Sequence, residues 1–365
     1  MRPDRSAQGQ ALMTDKASHK APAWFLTLII AYLAILATLS VMNQIGADRW
    51  WFGALNLYLP QAIWTAPGIL LAAVSLKVSW RWTWLPLLGI VWVTGPLMGF
   101  CWPLPASEVT SVSPPLRVMT WNVKYGSHDK LSHMAIMYEI DRCKPAVVLL
   151  QDAGGVLNGL LGDYFSTWNV RSYGQYIIAS RLPLGELQVR RISFPGEEHT
   201  CVRAQVQFNG TMVALYNIHF LSPREGLDAM RFARRNPRYL PNAIPQLERN
   251  VNARLTQAGT VREYLRQEPG PVIIAGDLNS PDASQVCAVL RDADLHDAFA
   301  EGGTGYGYTY GHYLFKNHYP SLDVSWMRID HIMMSSRFHT LNCWSGTGKA
   351  SDHRPVIADL VMDHS

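Results

Sequence analysis

Charged residues are scarce in this chain of 365 residues. They make up 16% of it, whereas an ordinary soluble globular domain contains about 25%. The deficit lies in one part of the chain, because residues 21–105 carry only four charges, on Asp48, Arg49, Lys77 and Arg81. Nine of the 13 tryptophans also fall before residue 106, and tryptophan is typical of membrane interfaces. These features exclude a wholly soluble enzyme and a disordered chain.

Cysteine is also sparse. The chain has five cysteines and no C-x-x-C pair, which excludes a disulfide-dense miniprotein and leaves no zinc-binding spacing. We expect free buried thiols, although four of these cysteines could pair in three ways on an oxidising side of a membrane. The G-x-S-x-G elbow of serine hydrolases is absent, and residues 343–350 do not fit the phosphate-binding loop pattern.

Three uncharged stretches follow one another, at residues 21–47, 50–76 and 82–107. Each exceeds the roughly 20 apolar residues that a helix needs to cross a hydrocarbon core. A buried core helix of that length normally has a polar face, and these stretches have none, so the sequence predicts three transmembrane α-helices. Two alternatives remain open, a cleaved signal peptide for the first stretch and buried core helices for all three.

Basic residues beside the stretches predict their orientation, because they are enriched on the cytoplasmic side. The loop between the second and third stretches contains Lys77 and Arg81, whereas the first loop contains only Arg49. The first 20 residues add four more, at Arg2, Arg5, Lys16 and Lys20. We therefore expect an integral membrane protein with a cytoplasmic N-terminus, whose residues after 107 lie on the periplasmic or extracellular side.

This pattern divides the chain into four parts. They are a basic cytoplasmic leader at 1–20, a three-helix anchor in the lipid bilayer at 21–105, a linker rich in Pro and Ser at 106–115, and a catalytic domain at 116–365. No protein partner is inferred from the sequence.

The last part reads as an α/β domain. Helical stretches are predicted at 130–142 and 247–267, and Asn209-Gly210 predicts a tight turn between two strands. Many short β-branched and aromatic runs bounded by turn residues predict stacked sheets flanked by helices. These strand runs are 116–123, 146–150, 176–179, 202–208, 212–218, 272–275, 328–334 and 355–361.

Polar residues of acid/base and metal-binding type end these runs. A single Asp or Asn at the end of a strand is often a turn residue, but polar residues at the ends of so many strand runs are not expected by chance. Carboxylate and amide oxygens suit Mg²⁺ or Mn²⁺, and a divalent ion on a phosphoryl oxygen stabilises the charge that develops during phosphate ester hydrolysis. The residues are Asn122, Asp152, His219, Asp277, Asn279, Asp330, Asp352 and His353.

The order of these motifs resembles the endonuclease/exonuclease/phosphatase superfamily over about residues 115–362. The matching strings are MTWNV at 119–123, GDLN at 276–279 and SDHRP at 351–355. The resemblance implies a four-layered αββα sandwich of two packed β-sheets and a divalent-metal phosphoesterase.

The resemblance also implies a role for each residue. Asn122 and Asp152 would hold the metal, with Asp352 joining them. Asp277 would position or deprotonate the attacking water, and Asn279 would orient the water and the phosphate. His353 would contact the scissile phosphate or transfer a proton, with its ring fixed by Asp330, while His219 and Arg203 would face the phosphate.

One position departs from the superfamily pattern, which usually has Glu after the Gln of its second motif. This chain has Gln151-Asp152. Aspartate keeps the charge but is shorter by one methylene, so the metal must sit closer or bind through water.

The substrate and the partner stay open. Residues 224–262 carry eight arginines, which could bind nucleic-acid phosphates, anionic lipid head groups or only solvent. The tyrosine-rich loop 302–313 could stack on a base or a head group, or be only a mobile loop. A nuclease-like phosphodiesterase, a phospholipid or sphingolipid phosphodiesterase, an inositol phosphatase and a non-catalytic membrane-tethered binding module all remain candidates.

Overall fold

The structure of the protein is a computed structural model. It describes residues 21–102, 114–124, 130–194, 197–311 and 324–363. The predicted basic leader and most of the predicted linker lie outside the described residues, as does the end of the tyrosine-rich loop.

Twelve strands in the described part of the chain form two six-stranded sheets. The first has the order β11-β12-β1-β2-β4-β3 and the second the order β5-β6-β7-β8-β10-β9. In each sheet the central pair, β1 with β2 or β7 with β8, is parallel and the other pairs are antiparallel. The strands are β1 Leu116–Asn122, β2 Val147–Gln151, β3 Asn169–Tyr173, β4 Tyr176–Ser180, β5 Gln188–Phe194, β6 Glu197–Phe208, β7 Thr211–His219, β8 Val272–Asp277, β9 Leu295–Asp297, β10 Asp330–Ser335, β11 Phe338–Ser345 and β12 Val356–Met362.

Helices cover the outer faces of the sheets. The described α-helices are α1 Ala23–Ile45, α2 Trp51–Tyr58, α3 Thr65–Val78, α4 Trp84–Trp92, α5 Lys130–Cys143, α6 Leu160–Tyr164, α7 Arg224–Arg235, α8 Leu240–Arg266, α9 Gln285–Arg291 and α10 Ala298–Gly302. Shorter 3₁₀ turns lie at Ala47–Arg49, Gln61–Trp64, Trp80–Trp82, Phe165–Thr167 and Pro237–Tyr239, and a π-helix at Val93–Leu97.

Side chains alternate between the two faces of each strand, and the apolar ones form three layers. Side chains such as Val118 and Leu215 point between the sheets and form one cluster. Met119 and its neighbours pack outward under α5 and α6, and Ile218 and its neighbours pack outward under α8 and α9. Two packed mixed sheets with helices outside them agree with the expected αββα sandwich, because each sheet buries both of its faces.

The local predictions in this domain are correct for the longest runs. Asn209 and Gly210 form the turn between β6 and β7 with φ angles of 48° and 77°, as a tight hairpin turn requires. All five cysteines are free thiols, and only Cys101 is not fully buried. Strands β3, β5, β9 and β11, and helices α6, α7, α9 and α10, were not predicted.

The anchor differs from the three predicted spans. Two described helices are long and apolar enough to cross a membrane, Ala23–Ile45 and Gln61–Val78. The second predicted stretch is broken because Leu59 is extended at ψ 150°, the conformation favoured before a proline, and the next residue is Pro60. The second long helix therefore begins only at Gln61.

The third predicted span is wrong as a single helix of spanning length. It consists of nine α-helical residues in α4 and five in the π-helix Val93–Leu97, or roughly 21 Å at about 1.5 Å per residue. A hydrocarbon core is about 30 Å thick. Pro96 lies inside the π-helix, and a proline there removes a backbone donor and interrupts the α-helical ladder.

The anchor packs directly on the catalytic domain. Ala54 of α2 lies in one apolar cluster with Ala229 and Leu247 of helices α7 and α8. The backbones of Cys101 and Gly305 exchange hydrogen bonds of 2.8 and 2.9 Å. The chain thus leaves the domain along the second long helix and returns to it through α4.

Candidate active site

The strand register brings the predicted residues to one edge of the sandwich. His219 pairs with Asp277 at the ends of β7 and β8, and Asp330 pairs with Asp277 at the start of β10. Asn122 ends β1 in the first sheet, opposite Gln151 of β2. The carboxyl ends of parallel strands meet at the same edge, so residues far apart in the sequence become neighbours.

Asp277 lies at the centre of this group. One carboxylate oxygen accepts a hydrogen bond of 3.0 Å from the Asn122 amide, and the other accepts one of 2.8 Å from the backbone N–H of Asn279. The oxygen that accepts from Asn122, Oδ2 of Asp277, lies 3.5 Å from His219 Nε2 and 3.8 Å from His353 Nε2. Burial raises the pKa of Asp277, and His353 opposes that shift. A buried carboxylate with a raised pKa is a better base near neutral pH.

Asp330 holds the imidazole of His353. Its two carboxylate oxygens lie 3.1 and 2.9 Å from His353 Nδ1, and both residues are buried. Burial disfavours the charged imidazolium, but the carboxylates of Asp330 and Asp277 outweigh it and raise the pKa of His353 to about 10. The ring is therefore a cation at neutral pH, with Nε2 on the side of Asp277.

His219 lies on the other side of Asp277. Its Nδ1 is 2.7 Å from Gln175 Oε1 and 3.6 Å from a carboxylate oxygen of Asp152. Asp152 follows β2 and has a left-handed φ of 50°, which Asp and Asn tolerate better than other side-chain-bearing residues. This backbone turn places Asp152 beside His219.

The expected metal ligands are oxygen donors at this edge. Asn122 is buried, and its Oδ1 accepts a hydrogen bond from the backbone N–H of Lys124 at 2.9 Å. Asp352 Oδ2 lies 2.5 Å from Lys124 Nζ. Together with Asp152 they offer carboxylate and amide oxygens, the ligands that Mg²⁺ and Mn²⁺ prefer. The types of these donors therefore suit a hard divalent ion, while the acidic and histidine residues of the described site whose ligand atoms lie within 4.8 Å of one another are Asp277, Asp330 and His353.

A second group of metal-ligand type lies behind the site. Asp282, Cys287 and His331 lie close enough to share an ion, but the guanidinium of Arg328 is only 3.1 Å from Asp282 Oδ1. His331 Nδ1 also lies 2.9 Å from a carboxylate oxygen of Asp297. Since a cation already occupies this group, we interpret it as a buried network that supports the chain around Asn279.

A tyrosine of the anchor fixes Asn279. The Tyr58 hydroxyl donates a hydrogen bond of 2.8 Å to the Asn279 carbonyl oxygen. The Asn279 side-chain amide donates to the Phe220 carbonyl oxygen at 2.9 Å, and its backbone is left-handed with φ 49°. Arg254 lies over the Tyr58 ring, 5.9 Å from its centroid. The anchor thus supplies part of the wall of the site.

The tyrosine-rich loop joins the anchor to His353. Tyr306 and Tyr308 stack at 5.1 Å and donate hydrogen bonds to the carbonyl oxygens of Thr94 and Met98 at the end of the anchor. Tyr310 packs on the ring of His353 with centroids 4.9 Å apart. Two of these tyrosines therefore attach the loop to the anchor, and the third contacts the site.

Arg203 does not join this group. Its guanidinium forms a bidentate ion pair with Glu268, at 2.7 and 2.8 Å. Tyr216, its neighbour on β7, donates to the same carboxylate at 2.6 Å. Residues directly opposite each other on paired antiparallel strands lie on the same face of the sheet, and Arg203 is paired with Tyr216. Tyr216 packs in the outer cluster under α8, so Arg203 faces outward too, and the prediction of a phosphate-facing arginine is corrected.

Several residues around the site were not predicted. Gln151 donates at 2.7 Å to the Asn217 side chain, which in turn donates to carbonyl oxygens of Leu150 and Ile177, joining the two sheets behind the site. Asn217 lies two residues before His219, so the period of the strand could have placed both on one face. Tyr58 lies in an apolar stretch and gave no such signal.

Comparison with known proteins agrees with this geometry. A family model described as the endonuclease/exonuclease/phosphatase family matches residues 119–353. No curated protein matches the chain.

Solved structures share the fold at low sequence identity. Truncated TDP2 from Caenorhabditis elegans is 21% identical with a TM-score of 0.51, and the match covers 67% of this chain and 96% of that one. An endonuclease/exonuclease/phosphatase from Bacteroides vulgatus is 15% identical with a TM-score of 0.53, covering 69% and 100%. A mannosyl-6-phosphatase from Bacteroides thetaiotaomicron is 15% identical with a TM-score of 0.50, covering 68% and 100%.

Proposed function

The chain belongs to the endonuclease/exonuclease/phosphatase family, and we propose from this that it is a membrane-anchored, divalent-metal-dependent hydrolase that cleaves a phosphodiester with an activated water. The observation that carries the proposal is the position of Asp277. Its carboxylate lies between two histidines, 3.5 Å from His219 Nε2 and 3.8 Å from His353 Nε2.

Asp277 would act as the base. Asn122 and the Asn279 backbone hold its two oxygens in place, and its raised pKa favours taking a proton from water. A water beside Asp277 would then attack the phosphorus atom and displace the ester oxygen. Asn279 lies two residues further on and would orient that water and the phosphate.

The two histidines would bind the phosphate and the leaving group. His353, charged at neutral pH because Asp330 and Asp277 face it, would donate a hydrogen bond to a non-bridging phosphate oxygen. Such a donor stabilises the charge that develops in the transition state. His219, fixed by Gln175, would contact the phosphate or protonate the leaving oxygen.

Asn122, Asp152 and Asp352 would hold the metal. When bound there, Mg²⁺ or Mn²⁺ supplies Lewis-acid stabilisation of a phosphoryl oxygen. Lys124 pairs with Asp352 and is half-exposed, so it can swing away when the ion binds.

The same proposal places the anchor in a lipid bilayer and the catalytic domain on its non-cytoplasmic side. This orientation places Tyr58 and Cys101 on the same side of the bilayer as the catalytic domain. Both residues contact that domain. The loop around Lys77 and Arg81 lies at the other end of the second long helix. This orientation requires the chain to cross the bilayer a third time between Arg81 and Cys101, over the shorter helical stretch of α4 and the π-helix Val93–Leu97.

Two substrate classes fit the site, nucleic acid and a phospholipid or related head group. The contacts of the anchor with Asn279, and of the tyrosine-rich loop with His353, favour the lipid, because they hold the site beside the bilayer. The test uses the full chain in nanodiscs with Mg²⁺ or Mn²⁺. Plasmid DNA, a phosphocholine sphingolipid and a phosphoinositide are offered as substrates.

We expect one of these substrates to be cleaved, and both Asp277→Ala and His353→Ala to lose that activity. Asp292→Asn removes an exposed carboxylate outside the site and should retain it. If no substrate is cleaved by the folded wild-type chain, the binding-module alternative is favoured instead.

A further inference from the structure

Helix α7 carries an unpaired row of arginines. Arg224, Arg231 and Arg235 recur at helical spacing on its exposed side. Together with Arg234 and Arg238 they form what we call the arginine face. Within the described part of the chain none of these five forms an ion pair. Five arginines against Glu225 and Asp228 leave a net charge of +3 over residues 224–238.

The opposite side of α7 packs on the anchor. Ala229, Met230 and Ala233 are buried in one cluster with Ala54 of α2. Helix α2 lies between the two long apolar helices in the sequence, and at its start Trp50 and Phe52 are 39% and 47% exposed, with their rings stacked at 6.2 Å. Exposed aromatic rings at the end of a membrane helix are typical of the lipid–water interface. Helix α7 therefore lies at the depth of the head groups.

Helix α7 also has the composition of an interfacial helix. Phe232 is 52% exposed between Arg231 and Arg234, and its ring packs edge-on against Tyr239 at 4.9 Å. Basic side chains beside an exposed aromatic ring are found on helices that lie in the membrane interface.

We propose that the arginine face binds anionic phospholipid head groups of the leaflet that faces the catalytic domain. The proposal rests on the membrane anchoring proposed above and on no assumption about the substrate. The same arginines could attract nucleic acid, but a duplex lying along α7 would also meet the negatively charged bilayer beside α2. Not all arginines of the segment take part, since Arg254 is fully buried beneath Tyr58.

Helix α7 begins next to the site. Arg224 lies close enough to Tyr310 to lower the pKa of its hydroxyl, although burial, the larger effect, raises it, and Tyr310 packs on His353. Head groups bound along the arginine face would therefore hold the opening of the site against the membrane surface.

The test measures hydrogen–deuterium exchange of residues 224–238 in the full chain. The chain is placed in nanodiscs of phosphatidylcholine alone or of phosphatidylcholine with phosphatidylglycerol. We expect exchange in this segment to be roughly threefold slower or more with the anionic lipid, and high salt to remove the difference.

Two matched double variants distinguish an effect of the arginine face from a general effect of positive charge. Arg231→Gln with Arg235→Gln should abolish the lipid-dependent protection, whereas Arg262→Gln with Arg266→Gln, on the far end of α8, should leave it intact. Glutamine has nearly the helix propensity of arginine, so both pairs should fold.

Equal exchange in the two lipids, or equal protection in the two double variants, would overturn the proposal. Alternatively, the wild-type chain binds a fluorescent oligonucleotide but shows no lipid-dependent protection, and only the α7 double variant loses the oligonucleotide binding. That result would assign the surface to nucleic acid. Because no turnover is measured, these outcomes do not depend on the catalytic proposal, and a chain that fails to enter nanodiscs would reveal a failure of the anchoring itself.

Discussion

The Tyr58 hydroxyl donates a hydrogen bond of 2.8 Å to the carbonyl oxygen of Asn279. The two residues are 221 positions apart in the chain, one in the anchor and the other in the GDLN motif. The Trp326 indole donates at 3.2 Å to the Tyr58 carbonyl oxygen, which fixes the end of α2 in the domain. Residues of the anchor are therefore a structural part of the site.

Tyr58→Phe tests this link, because it removes the hydroxyl and keeps the ring. A buried carbonyl that loses its donor costs about 1 kcal/mol or more, and a loss of that size in the transition state lowers kcat by about fivefold. We expect kcat to fall while KM changes little, since Asn279 would be displaced but not removed. Steady-state kinetics of the full chain measure both constants.

Tyr32→Phe is the matched control. The Tyr32 hydroxyl donates at 3.0 Å to the Trp64 carbonyl oxygen within the anchor and does not touch the site. Its loss should leave kcat unchanged. Equal effects of the two variants would mean that Tyr58 acts only through the stability of the anchor.

Removal of the anchor should damage the catalytic domain. A fragment of residues 106–365 lacks Tyr58 and Ala54 and exposes the cluster formed by α7 and α8. We expect a lower melting temperature and weaker turnover than in the full chain, together with a tendency to aggregate, because large apolar patches are exposed. A fragment as stable and as active as the full chain would show that the contacts of the anchor are dispensable.

The sequence predicts the site better than its surroundings. Asn122, His219, Asp277 and His353 were predicted because polar residues at strand ends form a short, local pattern in family order. Arg203 was misplaced because the motif around it is weak and the face of β6 on which it lies follows from pairing and not from composition. Tyr58 could not be predicted, since its role depends on a contact between distant parts of the chain.

The spans illustrate the same limit. Composition predicts apolar helices at 21–47 and within 50–76, but the breaks at Pro60 and Pro96 depend on how the backbone satisfies its hydrogen bonds.

Asp330→Asn should move the pH dependence of turnover. The raised pKa of His353, about 10, keeps the imidazolium present below that pH and loses it as the pH rises through 10. Activity that needs this cation should therefore fall on the alkaline side. Asparagine removes the charge that faces Nδ1 but keeps the shape, so the alkaline limb should move to lower pH. Profiles of kcat/KM measure the shift, and coincident limbs would mean that His353 does not act as a cation.

Asp152→Asn tests the metal site at the position where this chain departs from its family. Asparagine tolerates the left-handed φ of 50° at this residue, so the loss of charge is separated from backbone strain. We expect the half-saturating Mg²⁺ concentration to rise by at least about tenfold, and Asp152→Ala to abolish Mg²⁺-dependent turnover. Asp152→Glu restores the longer reach and should lower that concentration. An unchanged Mg²⁺ requirement in all three variants would remove Asp152 from the metal site.

The most direct measurement is hydrolysis of a chromogenic phosphodiester by the full chain, compared between wild type and Asp277→Asn. Wild type should turn over, stop when the divalent ion is chelated and recover when Mg²⁺ is added. The variant, which keeps the shape of Asp277 but loses its basicity, should be slower by at least about 100-fold. Equal rates in the two proteins, or turnover that chelation does not affect, would contradict a metal-dependent phosphoesterase centred on Asp277.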